Sequence, residues 1–303
     1  MELSLKYIFG VKPLGISDGI ISTNNFGLKF NNVEGKKIFG TQVFTNNEGF
    51  RVVKNYLPKD KSLEKIYFIG GSVTFGSGVK QEHTFSGLLN SKYKKYNIFN
   101  ASVMGSDLKN NYLILEKVSK KDKIKKVFIN FSFDDVENVK IENFDINSNK
   151  KENFYLLDKL KEIDLFKKLN TFFRSRSVTY VYIKGFLLNT REYYYQNALN
   201  TYTDRESINI IDETLKKIKM INDSKTEVIF IKIPYYSQIS EKNCKKKDLG
   251  EIKILEKLRN NQFKFIDFKP IFCSMNNRNK IFLSFDASHL SKFGHKIIAD
   301  NLD

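Results

Sequence analysis

One serine and a later aspartate–histidine pair have the residue types and the spacing that nucleophilic catalysis requires. Ser72 lies in the glycine-rich stretch GGSVTFGSG, directly after the apolar run IYFIG. Asp286 and His289 lie three residues apart in FDASHLSKFGHKIIADNL, so the carboxylate can meet the imidazole within one short segment. A serine hydroxyl is a poor nucleophile unless a histidine takes its proton and a carboxylate orients that histidine. These residues therefore predict acyl transfer through Ser72.

The glycine-rich stretch has a second interpretation, as a tight turn or a phosphate-binding loop. A P-loop ends in Lys followed by Ser or Thr, and the dinucleotide fingerprint is G-x-G-x-x-G; GGSVTFGSG contains neither. A serine between a strand and the N-terminus of the next helix has backbone N–H groups beside it that favour a developing oxyanion. The position of Ser72 therefore favours a nucleophile.

The other two of the three histidines are not expected to react. His83 follows the glycine-rich stretch and is expected on the surface of the next helix. His295 begins the final amphipathic helix, and we expect a structural role for it.

Compact apolar runs alternate with helical patterns from about residue 61 to the end of the chain. The runs predict strands, and the patterns between them predict helices. Strands are expected at 66–70, 96–102, 126–132, 227–234 and 263–267, and helices at 84–93, 107–119, 206–223 and about 247–260. This alternation predicts a three-layer α/β/α fold around a central parallel sheet, with the site at the carboxyl ends of the strands.

Two regions depart from this alternation. Residues 1–60 are rich in Asn and Gly and predict an irregular segment that packs on the main domain, with a hairpin or meander in 36–53. Residues 61–303 form the main domain, interrupted by a helical insertion at about 150–204. That insertion is either scaffold for the sheet or a cap that contacts substrate.

The amino-acid composition limits which kinds of partner the chain is expected to bind. The net charge is +17, but only seven of the 51 basic residues are Arg, so we expect a solvated lysine-rich surface and no nucleic-acid partner. Cys244 and Cys273 lack the spacing of a metal site and are expected to be ordinary thiols rather than a disulfide. No metal or cofactor is predicted.

No signal peptide or membrane span is visible. The most apolar late run, residues 178–188, is too short to cross a bilayer and contains Lys184. The sequence predicts a cytoplasmic chain and leaves an exported or anchored form open. It gives no indication of the oligomeric state.

Four stretches together resemble the SGNH hydrolases, also called the GDSL family. GGSVTFGSG is similar to the family's nucleophile segment, with Gly71 in place of its usual Asp, and DASHLSKFGHKIIA is similar to its C-terminal D-x-x-H-L-S-x-x-G segment. NASVMGSD, residues 100–107, is similar to the segment between them, and TNNEGFR to the lead-in of many bacterial members. The resemblance covers about residues 64–303.

The resemblance implies a role for each matching residue. Ser72 would be the nucleophile, His289 the general base and then acid, and Asp286 its partner. The backbone N–H groups of Ser72 and Gly105 would form the oxyanion hole. The family's third segment supplies an Asn side chain to that hole, and SFDD puts Asp134 in its place.

Three functions follow as alternatives. The first is an esterase that removes a small acyl group, with acetyl as the expected one, from an O-acylated bacterial carbohydrate. The second passes the same acyl group to a sugar hydroxyl of a cell-surface glycan. The third is a carbohydrate-binding relative impaired in catalysis, for which Asp134 is the main support.

Overall fold

A mixed sheet dominates the part of the chain that the structure describes. The structure is a computed structural model, and it describes residues 2–8, 10–24, 27–30, 32–132, 164–200, 205–224 and 226–302. Within these residues the sheet has eight strands. In chain order they are β3 (Glu34–Ile38), β4 (Thr41–Thr45), β5 (Arg51–Val52), β6 (Glu64–Ile69), β7 (Tyr96–Asn100), β8 (Ile124–Asn130), β9 (Glu227–Lys232) and β10 (Lys264–Asp267). A separate antiparallel hairpin precedes them, β1 (Ile21–Asn24) with β2 (Gly27–Phe30).

The parallel half of the sheet has the order β10-β9-β8-β6-β7. Its strands read as apolar runs because helices cover both faces, and the last four residues of β6 are all buried. The first of these strands, β6, lies between β7 on one side and β8 on the other. The chain therefore changes winding direction at the carboxyl end of β6, which is where ligands bind in open α/β sheets.

The antiparallel half is built from the N-terminal segment. β5 pairs with β7 through Arg51 and Asn100, and β4 and β3 follow outward from it. The turn between β3 and β4 consists of Phe39 and Gly40, whose φ angles of 47° and 68° are both positive. Positive φ at both central residues matches the type I′ turn that suits the twist of a tight hairpin.

Helices cover both faces of the sheet. In chain order they are α1 (Glu2–Tyr7), α2 (Ser72–Phe75), α3 (Phe85–Lys92), α4 (Leu108–Lys121), α5 (Asp164–Arg176), α6 (Val178–Leu188), α7 (Thr190–Asn200), α8 (Arg205–Ser224), α9 (Leu249–Asn260), α10 (Phe268–Ser274) and α11 (Lys292–Asn301). On one face, α4, α8 and α9 pack against side chains such as Tyr67 and Ile69. On the other, α3, α10 and α11 pack against the alternate residues, such as Ile66 and Phe68. The predicted three-layer α/β/α fold is confirmed.

The helical insertion is described from residue 164 to residue 200. There it forms α5, α6 and α7, where the sequence predicts helices. The part of the predicted insertion before residue 164, and residues 201–204, lie outside the described residues. No helix in the described ranges is both long and apolar enough to span a bilayer.

The sequence predicts that the two cysteines are thiols, and the structure shows that they are not. Cys244 and Cys273 form a disulfide, with their Cα atoms 5.7 Å apart. Cys244 precedes α9 and Cys273 lies in α10, so the β9–α9–β10 crossover brings the two together although 29 residues separate them. A pairing made by tertiary structure leaves no local spacing signal, which is why the expectation of two thiols is wrong.

Candidate active site

Ser72 is the first residue of a one-turn helix that begins directly after β6. Gly71 is the N-cap, so the Ser72 N–H has no intrahelical acceptor. A Cβ at Gly70 would lie 2.5 Å from Thr74 Oγ1, which explains glycine there. At the other end, Gly76 has a φ of 82°, and its N–H closes the turn by donating to the main-chain oxygen of Ser72. The glycines therefore shape a tight turn, and that turn presents the Ser72 hydroxyl at the edge of the sheet.

His289 lies between Ser72 and Asp286, as the sequence predicts. Its Nε2 is 2.8 Å from Ser72 Oγ, and its Nδ1 is 2.9 Å from each carboxylate oxygen of Asp286. An ionised carboxylate only accepts hydrogen bonds, so Nδ1 carries the proton and Nε2 is left to accept from the Ser72 hydroxyl. This is the geometry of a serine nucleophile with its base and orienting carboxylate.

Asp286 is held by its own loop. Its Oδ1 accepts hydrogen bonds from the backbone N–H groups of Ser288 at 3.0 Å and His289 at 2.8 Å. Burial alone would raise the pKa of Asp286, but the charge of His289 and these hydrogen bonds outweigh burial and hold the pKa below its usual range. Asp286 therefore stays ionised and keeps the imidazole in one orientation.

Arg191, on α7, supports this loop from the insertion. Its Nε donates to the main-chain oxygen of Asp286 at 3.0 Å, and a terminal nitrogen donates to that of Leu283, also at 3.0 Å. Its guanidinium carbon lies 3.6 Å from the centre of the Tyr236 ring. Nothing in the sequence distinguishes Arg191 from the other arginines, and sequence reasoning missed it.

Two residues of the N-terminal segment also reach the site and were missed. Phe39, in the β3–β4 turn, packs edge-on against the His289 ring with 5.0 Å between centroids. Arg51 is buried and donates to three carbonyls of the loop after α2, those of Phe75, Gly76 and Val79. The match of TNNEGFR to a family lead-in was the one available signal for Arg51.

Gly105 lies in a tight turn that is tied to the nucleophile turn. Val103 N–H donates to the Gly70 oxygen at 3.0 Å, and Ser106 N–H donates to the Val103 oxygen at 3.1 Å. Gly105 is the third residue of the latter turn, where its φ of 74° is the conformation that a type II turn requires. Asp134, the other predicted oxyanion residue, lies outside the described residues.

The remaining histidines lie apart from the triad. His83 is half-buried at the end of a short 3₁₀ turn, Gln81–His83, before α3. His295 is fully buried in α11, where its Nδ1 accepts the Phe85 N–H at 3.3 Å. In the described part of the chain, neither forms a hydrogen bond with Ser72 Oγ.

The chain matches no protein-family model and no curated protein. It is similar to several solved structures. A member of the lipolytic protein G-D-S-L family from Veillonella parvula is 13% identical, over 78% of this chain and 94% of that one, with a TM-score of 0.45. The lipase/acylhydrolase from Enterococcus faecalis is 14% identical, over 79% and 93%, with a TM-score of 0.45. Axe2, an acetylxylan esterase from Geobacillus stearothermophilus, is 16% identical, over 79% and 92%, with a TM-score of 0.43.

The first of these neighbours is named for the G-D-S-L family, to which the sequence motifs are similar. The α/β arrangement that the resemblance to the SGNH hydrolases implies is present in this chain.

Proposed function

We propose that this chain is a serine hydrolase that cleaves carboxylic esters through an acyl-enzyme on Ser72. The observation that carries the proposal is the continuous hydrogen-bonded path from Ser72 Oγ through His289 to Asp286. In this path the base is held both by the carboxylate and by the edge contact of Phe39. No part of it depends on a metal or cofactor.

The first half-reaction forms the acyl-enzyme. Ser72 Oγ attacks the ester carbonyl while His289 Nε2 takes the hydroxyl proton. The N–H groups of Ser72 and Gly105 would donate to the oxyanion of the tetrahedral intermediate. The intermediate then collapses, the bond to the alcohol oxygen breaks, and Nε2–H gives that oxygen its proton.

The second half-reaction frees the enzyme. Water enters, loses a proton to His289 Nε2 and attacks the acyl carbon, and the proton then returns to Ser72 Oγ as the carboxylic acid leaves. For the substrate we propose a small acyl group, acetyl, on a carbohydrate hydroxyl, as the motif resemblance implies. A sugar hydroxyl in place of this water would make the same site a transferase. The complete Ser72–His289–Asp286 path supports catalysis over a purely binding role.

The test is hydrolysis of 4-nitrophenyl acetate together with intact-mass measurement of the protein. Wild type should gain one acetyl group, whereas Ser72→Ala should gain none and lose at least about 10³-fold in kcat. Ser77→Ala is the matched control from the same glycine-rich stretch. In the described part of the chain Ser77 Oγ is buried without a hydrogen-bond partner, so its removal should leave turnover unchanged.

Two results decide the assignment. If Ser72→Ala keeps the wild-type rate, Ser72 is not the nucleophile and the proposal is wrong. If acetyl appears on an added acceptor glycan instead of as free acetate, the site is a transferase.

A further inference from the structure

A cavity of about 330 Å³ adjoins the catalytic histidine. One wall is the catalytic loop, residues 285–289, and the opposite wall is formed by α5, α6 and α7 of the insertion. The volume lies at the lower end of the range of about 300–1,000 Å³ that small-molecule sites occupy. The insertion therefore lines the cavity beside the triad as well as supporting its loop.

The position of the cavity indicates which part of an ester it takes. In the proposed function, on which this inference rests, His289 Nε2 gives its proton to the leaving alcohol oxygen. That oxygen must therefore lie within hydrogen-bond reach of His289, and the alcohol portion extends from it. Because Asp286, Ser288 and His289 border the cavity, the cavity is placed to hold the alcohol portion.

The charges on the cavity wall are predominantly positive. Arg174 of α5 and Lys184 of α6 line it, and the one carboxylate among its described lining residues, Asp286, already accepts hydrogen bonds from His289 and from two backbone N–H groups. A terminal nitrogen of Arg174 donates to the Tyr194 hydroxyl at 3.4 Å, and Arg174 forms none of the ion pairs found among the described residues. Lys184 Nζ donates to Asn170 Oδ1 at 2.5 Å.

Apolar residues surround these cations. Phe285 forms part of the wall and is held by an edge contact with Tyr182, at 5.4 Å between centroids. A Cβ on Gly185 would lie 2.4 Å from the Phe285 ring, so α6 approaches this wall closely. Apolar walls reduce the screening of charge by water, which strengthens the attraction between a wall cation and a bound anion.

We propose that the alcohol portion of the substrate carries a negatively charged group, a carboxylate or a phosphate, which binds Arg174 and Lys184 in this cavity. The substrate class is then an acyl ester of an anionic alcohol. A carboxylate and a phosphate both accept charge-assisted hydrogen bonds from Arg and Lys, and the experiment distinguishes the two.

The experiment compares acetyl esters that differ in charge at one position. 4-Acetoxybenzoate carries a carboxylate, 4-acetoxyphenyl phosphate carries a phosphate, and methyl 4-acetoxybenzoate is neutral at the same position. Each kcat/KM is divided by the rate constant for hydroxide-catalysed hydrolysis of the same ester, which removes differences in intrinsic reactivity. For wild type we expect at least one anionic ester to exceed the neutral one by about tenfold.

Variants then assign the preference to the cavity. Arg174→Gln and Lys184→Met should each lower kcat/KM for the preferred anionic ester by about tenfold and change that for the neutral ester by less than about twofold. The neutral ester thus reports whether each variant is folded. Arg176→Gln is the control for general electrostatic attraction, because Arg176 is exposed on the same helix and is not among the cavity-lining residues.

Three results overturn the inference. Equal normalised kcat/KM for charged and neutral esters, with turnover that depends on Ser72, refutes the anionic substrate and leaves the esterase proposal intact. An equal loss in Arg176→Gln assigns the preference to overall charge instead of the cavity. Absence of Ser72-dependent turnover with every ester refutes the esterase proposal and this inference together.

Discussion

The Nε atom of Arg191 donates a hydrogen bond to the main-chain oxygen of Asp286 at 3.0 Å. Arg191 belongs to α7 of the insertion, and Asp286 belongs to the loop that carries the general base. Thr190, the preceding residue, donates from Oγ1 to the Phe285 oxygen at 3.2 Å. The insertion is therefore a positioning element for the triad, whichever groups of the substrate it also contacts.

Removal of this support should slow the chemical step. We expect Arg191→Met to lower kcat on 4-nitrophenyl acetate by about 10- to 100-fold, because a shift of about 1 Å in a catalytic group costs on the order of 10²-fold. KM for this small ester should change by less than about threefold. Steady-state kinetics check the prediction, with Arg259→Met, an exposed arginine of α9, as control. An unchanged kcat in folded Arg191→Met would show that the loop with Asp286 and His289 keeps its position without Arg191.

Arg51 should matter for stability more than its place in the N-terminal segment indicates. Its guanidinium donates to the carbonyls of Phe75, Gly76 and Val79, of which the first also accepts from Asn100 Nδ2 at 3.3 Å and the second from the Val79 N–H at 3.1 Å. Without Arg51 the Val79 oxygen would lose the donor that the structure describes for it, and a buried acceptor without a partner costs about 1–3 kcal/mol. We expect Arg51→Met to lower the free energy of unfolding by about 1–3 kcal/mol, as measured by urea denaturation. A loss below about 1 kcal/mol would mean that water replaces the guanidinium at these carbonyls.

His295 should make the fold sensitive to acid. Burial lowers the pKa of His295 to about 3, with smaller contributions from the charges of Arg51 and His289. The unfolded chain takes up a proton at this position below about pH 6.5, whereas the folded chain does not do so until near pH 3. The stability that the neutral imidazole contributes is thus complete above pH 6.5 and is lost as the pH falls toward 3.

The variant that tests this is His295→Gln, whose side-chain oxygen can still accept the Phe85 N–H. Between pH 7 and pH 5 the free energy of unfolding of wild type should fall by about 2 kcal/mol more than that of the variant. Urea denaturation at the two pH values measures the difference. Parallel pH dependence of the two proteins would refute a buried neutral His295.

Asp134 gives a prediction from sequence alone, because it lies outside the described residues, two positions after Ser132. A carboxylate where the resemblance expects an Asn donor would repel the oxyanion, and one such donor is worth about 10²–10³ in kcat. Asp134→Asn should therefore accelerate ester hydrolysis by at least about tenfold. Asp135→Asn is the adjacent control, and a slower Asp134→Asn would show that Asp134 does not occupy the Asn position.

The features that sequence predicted best are those with a local pattern. The strand at 227–234 appears as Glu227–Lys232 and the helix at 206–223 as Arg205–Ser224, because apolar periodicity marks each element within its own residues. The Asp286–His289 pair was found for the same reason, since three residues of spacing determine how close the two side chains can come.

The features that sequence missed depend on contacts between distant residues. Arg51 and Val79 are 28 residues apart, and Arg191 and Asp286 are 95 apart, so no local pattern selects either arginine. The N-terminal strands were only partly foreseen, because a segment rich in Asn and Gly gains its strand structure by pairing with the edge of β7. Phe39 takes a positive φ that more often belongs to Asn or Gly, and this hid its place in the turn.

The bond between Cys244 and Cys273 sets a redox condition on the folded chain. Its formation transfers two electrons and two protons from the thiols to an oxidant, and glutathione and thioredoxin reverse it in a reducing cytosol. Under the chain-entropy account, closing a loop of this length restricts the unfolded chain by about 3–4 kcal/mol. The cross-linked form is thus suited to an oxidising compartment, in contrast to the cytoplasmic location that the sequence predicts. In a reducing one, the β9–α9–β10 crossover would have to hold its place by packing and by the buried ion pairs of Glu251 with Lys232 and Lys269.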